Sequence, residues 1–107
     1  MDSQELVALL KELKKELTPL YASRLRGVYL FGSYARQEQD PESDLDILIV
    51  LTNVDRYAAE IKRTSEMTSR LSLKYNVSIS RIFIREADWK AADIPLLRNA
   101  RQEAVPA

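Results

Sequence analysis

Gly32-Ser33-Tyr34-Ala35-Arg36-Gln37-Glu38-Gln39-Asp40-Pro41-Glu42-Ser43-Asp44-Leu45-Asp46 separates two apolar runs, Val28-Tyr29-Leu30-Phe31 and Ile47-Leu48-Ile49-Val50-Leu51. Short apolar runs of this kind read as strands. The first breaks at a Gly-Ser pair, and the second begins with two carboxylates separated by one residue. Alternate strand residues point to the same face, so Asp44 and Asp46 share one, with Cα atoms about 7 Å apart. That spacing lets both side chains converge on one hard cation such as Mg²⁺. Gly32 has no Cβ, so the turn amides can approach a phosphate closely. A phosphate cradle beside a carboxylate pair is equipment for a nucleoside triphosphate and its metal.

Upstream, Leu6, Leu9, Leu10, Leu13, Leu17 and Leu20 recur at helical spacing, with Lys11, Glu12, Lys14, Lys15 and Glu16 on the other face. This leucine stripe is read as core packing. Ser3 is placed to cap the helix, with Glu5 nearby, and Gly27 to close it. Ser33 is placed to cap a short helix from Tyr34 to Gln37 whose free amides would face phosphates. Asp40-Pro41-Glu42-Ser43 reads as a turn. The strand from Asp44 to Leu51 is apolar on both faces in its second half, which predicts a central position.

Downstream, Asp55 to Tyr75 predicts a second long helix, with Tyr57, Ile61, Met67, Leu71 and Tyr75 near one face. Its Thr64, Ser65, Thr68, Ser69 and Ser72 lower the intrinsic propensity, so tertiary packing must hold it. Val77 to Ile84 reads as a third strand, parallel to the Asp46 strand and reached by a right-handed crossover. Asp93-Ile94-Pro95 carries start signals for a last helix through about Ala104. No repeat, low-complexity tract or linker interrupts the 107 residues, so one domain over 1–107 is expected.

Composition narrows the chemistry. The chain is 46% hydrophobic and 30% charged, as ordinary soluble globular proteins are. Sixteen basic and sixteen acidic residues cancel, which argues against direct nucleic-acid binding by a basic surface. With no cysteine there is no disulfide, zinc–thiolate site or thiol nucleophile. With no histidine the commonest general base is missing too. Carboxylates, hydroxyls, Lys, Arg and a bound metal must do any chemistry. No apolar run approaches the ~18 residues of a membrane span, and the Met1-Asp2-Ser3-Gln4-Glu5 start is unlike a signal peptide. A cytoplasmic location without membrane contact is the expectation.

The order strand, Gly-Ser, ten residues (Tyr34 to Ser43), Asp-x-Asp, apolar strand resembles the nucleotidyltransferase superfamily related to DNA polymerase beta. Within it, the chain resembles the minimal nucleotidyltransferases, small bacterial and archaeal proteins often paired with HEPN-domain ribonuclease toxins. Ser33-Tyr34-Ala35-Arg36 matches that group's usual continuation, and Leu96-Leu97-Arg98-Asn99-Ala100-Arg101-Gln102-Glu103 its C-terminal helix. Gln37 and Ala104 stand where many relatives carry glycine. The resemblance implies an α+β, two-layer polymerase beta-like fold, a small mixed sheet with helices packed on one face. It implies Mg²⁺ as cofactor and ATP or another nucleoside triphosphate as substrate. Gly32 and Ser33 would bind the β- and γ-phosphates, and Asp44 and Asp46 would be metal ligands and catalytic residues. The acceptor would be a tyrosine of a HEPN toxin, with this chain the antitoxin of a hetero-oligomeric pair.

Two positions leave alternatives open. Arg36 either reaches the triphosphate or stiffens the loop through an ion pair with Glu38 or Asp44, and the structural role is slightly favoured. The family's third carboxylate belongs on the strand after the crossover helix, which here reads Tyr75-Asn76-Val77-Ser78-Ile79-Ser80-Arg81-Ile82 without any acid. Ser78 or Ser80 takes its place, and a serine neither anchors Mg²⁺ well nor acts as a base near neutral pH. Glu86 and Asp88 could substitute only if the chain folded back. The rival reading is therefore a weak or inactive nucleotidyltransferase-fold protein that neutralises its partner by binding alone. Transfer to a small molecule is disfavoured by size, since no second domain forms a substrate pocket. Trp89 and Tyr57 are read as core or interface residues and not as platforms for a base.

Overall fold

The computed structural model describes residues 1–91, 97–98 and 102–107. Helix α1 (Ser3–Tyr21) passes through a 3-10 turn at Ala22–Arg24 into β1 (Leu25–Phe31), followed by α2 (Gly32–Ala35), β2 (Leu45–Leu51), α3 (Tyr57–Tyr75), β3 (Ile79–Arg85), α4 (Glu86–Ala91) and β4 (Val105–Pro106). The strands form one mixed sheet in the order β3-β2-β1-β4. β2 is central, antiparallel to β1 and parallel to β3, and the short β4 lies antiparallel on the free edge of β1. This is the α+β arrangement expected, with α3 as the β-α-β crossover.

Strand alternation divides the sheet into two faces with different uses. Leu45, Ile47, Ile49 and Leu51 of β2 enter the main core with Val28, Leu30 and Phe83, covered by Leu9, Leu13 and Leu17 of α1 and by Met67 and Leu71 of α3. The intervening Leu48 and Val50 face the other way, against Trp89 of α4, with Tyr29, Phe31 and Ile84 around them. The Tyr29 and Trp89 ring centroids lie 5.0 Å apart. Both predicted long helices thus pack on one face, and the short α4 covers part of the second. Trp89 is core, as read, whereas Tyr57 is 45% exposed although its ring meets Phe83 edge-on at 5.9 Å.

Several element ends differ from expectation. Asp2, and not Ser3, caps α1: its Oδ1 accepts from the Glu5 amide at 2.8 Å, and Glu5 Oε1 accepts from the Asp2 amide at 3.3 Å. This reciprocal capping box satisfies two free amides and shifts the start by one residue. The helix closes at Ala22 (φ 49) and not at Gly27. Gly27 lies inside β1 beside a register shift, and the Tyr29 ring covers it so closely that a Cβ would come within 2.7 Å of Tyr29 Cε2. β1 therefore begins at Leu25, opposite Leu51, three residues ahead of the apolar run.

The buried face of α3 is more polar than its apolar stripe suggested, with Glu60, Thr64 and Thr68 buried beside Met67 and Leu71. Thr64 Oγ1 donates back to the Glu60 carbonyl and accepts from Arg81 Nε of β3 at 2.7 Å. Burial would raise the Glu60 carboxyl, but hydrogen bonds from Arg24 and Tyr21 outweigh it and hold the group below the ordinary carboxylate range. Asn76, left-handed at φ 52, ends the helix. β3 starts at Ile79, two residues after the predicted start. Leu97, Arg98, Gln102 and Glu103 are helical, and the rest of the expected last helix lies outside the described residues. Among the described residues no helix is long and apolar enough to cross a membrane.

Thr68 Oγ1 is buried without a hydrogen-bond partner among the described residues. An orphaned core hydroxyl costs more than its hydrogen bond would return. Thr68→Val keeps the shape, so it should raise stability by about 1 kcal/mol and move the urea midpoint upward.

Candidate functional site

The decisive stretch converges on one end of the sheet. β1 runs out at Phe31, paired with Asp46 across the antiparallel ladder. The chain then turns at Gly32 with φ +72, a left-handed conformation that glycine adopts without steric cost. A Cβ on Gly32 would collide with Asp46 Oδ2 and stand 3.2 Å from its Cγ. Turn and carboxylate are thus in contact, as a joint phosphate and metal site requires. α2 starts here with Phe31 as its N-cap and no side-chain cap. The expected Ser33 cap is absent: Ser33 lies inside α2, past the position that a capping residue takes. Among the described residues the Ser33 hydroxyl carries no hydrogen bond, while its carbonyl accepts from the Glu38 amide at 2.9 Å.

The intervening loop is self-braced. Gln37 adopts φ 58, a left-handed conformation that glycine takes without steric cost. The turn at Asp40 is closed by the Ser43 amide on the Asp40 carbonyl at 3.1 Å and by the Glu42 amide on Asp40 Oδ1 at 2.8 Å. It delivers an exposed Asp44 just ahead of β2, one residue before Leu45 donates its amide to the Ser78 carbonyl at 2.8 Å.

The Asp44 and Asp46 carboxylates accept no hydrogen bond and form no ion pair among the described residues. Burial pushes the Asp46 carboxyl above its ordinary value, the Asp44 charge adds to the shift, and Arg36 opposes it. A partly buried acid beside a second acid is a site short of positive charge. That suits Mg²⁺, which takes one or two carboxylates and completes its shell with phosphate and water oxygens. No group of three metal-ligating side chains occurs among the described residues, so other oxygens would have to come from the ligand and solvent.

The remaining predicted positions separate clearly. Ser80 is the direct β3 partner of Asp46, and Ser78 flanks the start of the same ladder; both are exposed. Glu86 and Asp88 sit past the opposite end of β3, where Glu86 pairs with Arg26 and Asp88 with Arg85. They cannot supply the missing acid. Arg36 Nε donates to Glu38 at 3.1 Å, one of the two ion pairs anticipated, and Nη1 donates to Glu103 at 3.1 Å. Glu103 was not foreseen: it lies 67 residues away, and nothing local signals the pairing.

Comparison with known proteins agrees with the fold. The family model "Polymerase beta, Nucleotidyltransferase" matches residues 10–96. A Methanocaldococcus jannaschii protein named "Putative protein adenylyltransferase MJ0141" is 38% identical over 82 residues, covering 77% of this chain and 82% of its own. "Putative protein adenylyltransferase MJ0604" of the same organism is 40% identical over 86 residues, 75% of this chain and 80% of its own. A crystal structure described as "the toxin-antitoxin with AMP-PNP" superposes with TM-score 0.60 over 99% of this chain and 72% of that one, at 18% identity, a likeness of fold.

Gly32→Ala should cost about 1–2 kcal/mol from the left-handed backbone alone, with further loss from displacing Asp46. Gln37→Gly should do the reverse and gain about 1 kcal/mol, since the same backbone region is then free of strain. Urea unfolding of both variants checks the pair. For Asp46, a folded-state pKa above the ordinary value means that stability falls as pH rises through that window. Asp46→Asn should therefore raise the melting temperature of the ligand-free protein at pH 7, and the gain should vanish below about pH 4, where the acid is protonated in both states.

Proposed function

The chain belongs to the polymerase beta nucleotidyltransferase family, and from that we propose that it transfers AMP from Mg²⁺-bound ATP to a tyrosine hydroxyl of a HEPN-type toxin, silencing it as an antitoxin. The observation that carries the reading is the contact between the Gly32 turn and Asp46, with Asp44 alongside. It supports a phosphate cradle and a metal-binding pair occupying one small volume. The similarity to proteins named as adenylyltransferases supports AMP as the transferred group. The fold shared with a toxin–antitoxin structure supports a toxin partner.

In this reading the Gly32 and Ser33 amides and the Ser33 hydroxyl bind the terminal phosphates. Asp44 and Asp46 hold Mg²⁺. The metal supplies Lewis-acid charge neutralisation to the phosphate oxygens as pyrophosphate departs. The acceptor oxygen attacks the α-phosphorus, the bond to the β-phosphate oxygen breaks, and the acceptor proton goes to solvent. Ser80, beside Asp46, cannot take that proton near neutral pH. A tyrosine, with its reference pKa of about 10, needs less help than an aliphatic hydroxyl. The same Ser80 position favours a second reading, in which the protein masks its partner without catalysis.

The test is to incubate the purified protein with its genomic neighbour, labelled ATP and Mg²⁺, and to locate any adduct by mass spectrometry. Transfer to a tyrosine, lost by at least about 100-fold in Asp44→Asn and Asp46→Asn, is expected if two charges hold the metal. Ser80→Asp should raise Mg²⁺ affinity. Full inhibition of the partner by the double Asn variant, with no adduct on any tyrosine, would leave the masking reading alone.

A further inference from the structure

Arg36 stands between two sets of acids. Its charge reaches Asp46, while its Nε and Nη1 are taken by Glu38 and Glu103 at 3.1 Å each. A guanidinium binds carboxylate and phosphate oxygens through the same fork, so the Arg36 donors taken by Glu38 and Glu103 are ones that a phosphate could also use. The pair is easily exchanged: the two side chains are 41% and 47% exposed, and surface ion pairs of this kind are weak. Glu103 also leads directly into the edge of the sheet. Ala104 packs against the Trp89 cluster, Val105 pairs with Leu30, and the Ala107 amide donates to the Val28 carbonyl at 2.9 Å. β4 spans only Val105–Pro106. A strand that short, on a sheet edge, depends on its flanking contacts, here Ala104, Glu103 and the bond from Lys14 Nζ to the Ala107 carbonyl at 2.9 Å.

We propose that Glu103 is a positioning residue that competes with the triphosphate for Arg36, so that nucleotide occupancy is transmitted to the C-terminal edge strand β4. The proposal rests on the reading above that the Gly32–Asp46 end of the sheet binds a triphosphate. Without ligand, Glu103 neutralises Arg36 and clips the residues before β4 to the site. With ligand, the phosphates take Arg36, the Glu103 carboxylate is repelled, and β4 keeps its ladder, the packing of Ala104 and Ala107 and the bond from Lys14 Nζ to the Ala107 carbonyl, but loses its tie to the site. Linkage makes the effect reciprocal: whatever loosens Glu103 must strengthen nucleotide binding by the same factor. A partner resting on β4 would thereby sense whether the site is loaded.

The experiment measures binding of Mg²⁺ and AMP-PNP by calorimetry, with hydrogen exchange of the 102–107 segment, in the wild type, Glu103→Gln and Asp46→Asn. Glu103→Gln should bind about threefold more tightly, the equivalent of one weak exposed ion pair, with an unchanged melting temperature. Adding AMP-PNP should speed exchange of the Ala107 amide in the wild type and leave it unchanged in Glu103→Gln, where the clip is already open. Equal or weaker binding by Glu103→Gln, or exchange indifferent to nucleotide in the wild type, overturns the proposal while the triphosphate site stands. A wild type that binds no AMP-PNP, or an Asp46→Asn variant that binds it as well, removes the site reading and the proposal with it.

Discussion

The close approach of Asp46 to the Gly32 backbone is the constraint on which the site end of this protein depends. Phe31 and Asp46 are paired across the β1–β2 ladder, so the residue after Phe31 must leave the sheet directly over the Asp46 carboxylate. Only a residue without a side chain fits there, and the same residue needs a left-handed backbone to start α2. The turn, the short helix and the start of β2 are therefore one geometric unit. A change in the register between β1 and β2 by one residue would send Asp46 into the leucine core.

The central strand lets one segment serve stability and chemistry together. Its odd-numbered positions, Leu45 to Leu51, are completely buried against α1 and α3. Its even-numbered positions begin with Asp46 and continue with Leu48 and Val50 beneath Trp89. A partly desolvated acid is thus carried on the most deeply buried strand of the sheet. Burial and the neighbouring Asp44 both disfavour its charged form, which stores an unmet demand for a cation. Sites that bind charged ligands are commonly destabilising in the empty fold for this reason.

At the other end of the sheet the charges are satisfied. Glu60 is buried among Tyr21, Arg24 and Arg63, and Arg24 also reaches Asn53 after β2. The contrast between this partnered cluster and the Asp44–Asp46 pair, unpartnered among the described residues, sets structural charge apart from the proposed site within one small molecule.

The sequence by itself determined the strand–turn–helix–strand order, the central place of β2 and the identity of the carboxylate pair. These rest on local signals: alternation of apolar residues, a glycine at a break, and a turn built on Asp40-Pro41. The main leucine core was equally legible from helical periodicity. Tertiary structure decided what depends on distant partners. Gly27 entered a strand because Leu25 found Leu51, whereas the Asp2 cap, completed by Glu5 three residues on, is a local pattern that the choice of Ser3 overlooked. Glu60 and Thr64 of α3 became buried because Tyr21, Arg24 and Arg81 came from other elements to satisfy them. Arg36 acquired Glu103 from 67 residues away, and Ser80 was set beside Asp46 by a parallel register that only the folded sheet defines. Hydrophobic period and turn chemistry are written along the chain, whereas pairing between remote polar groups exists only after the chain has closed on itself.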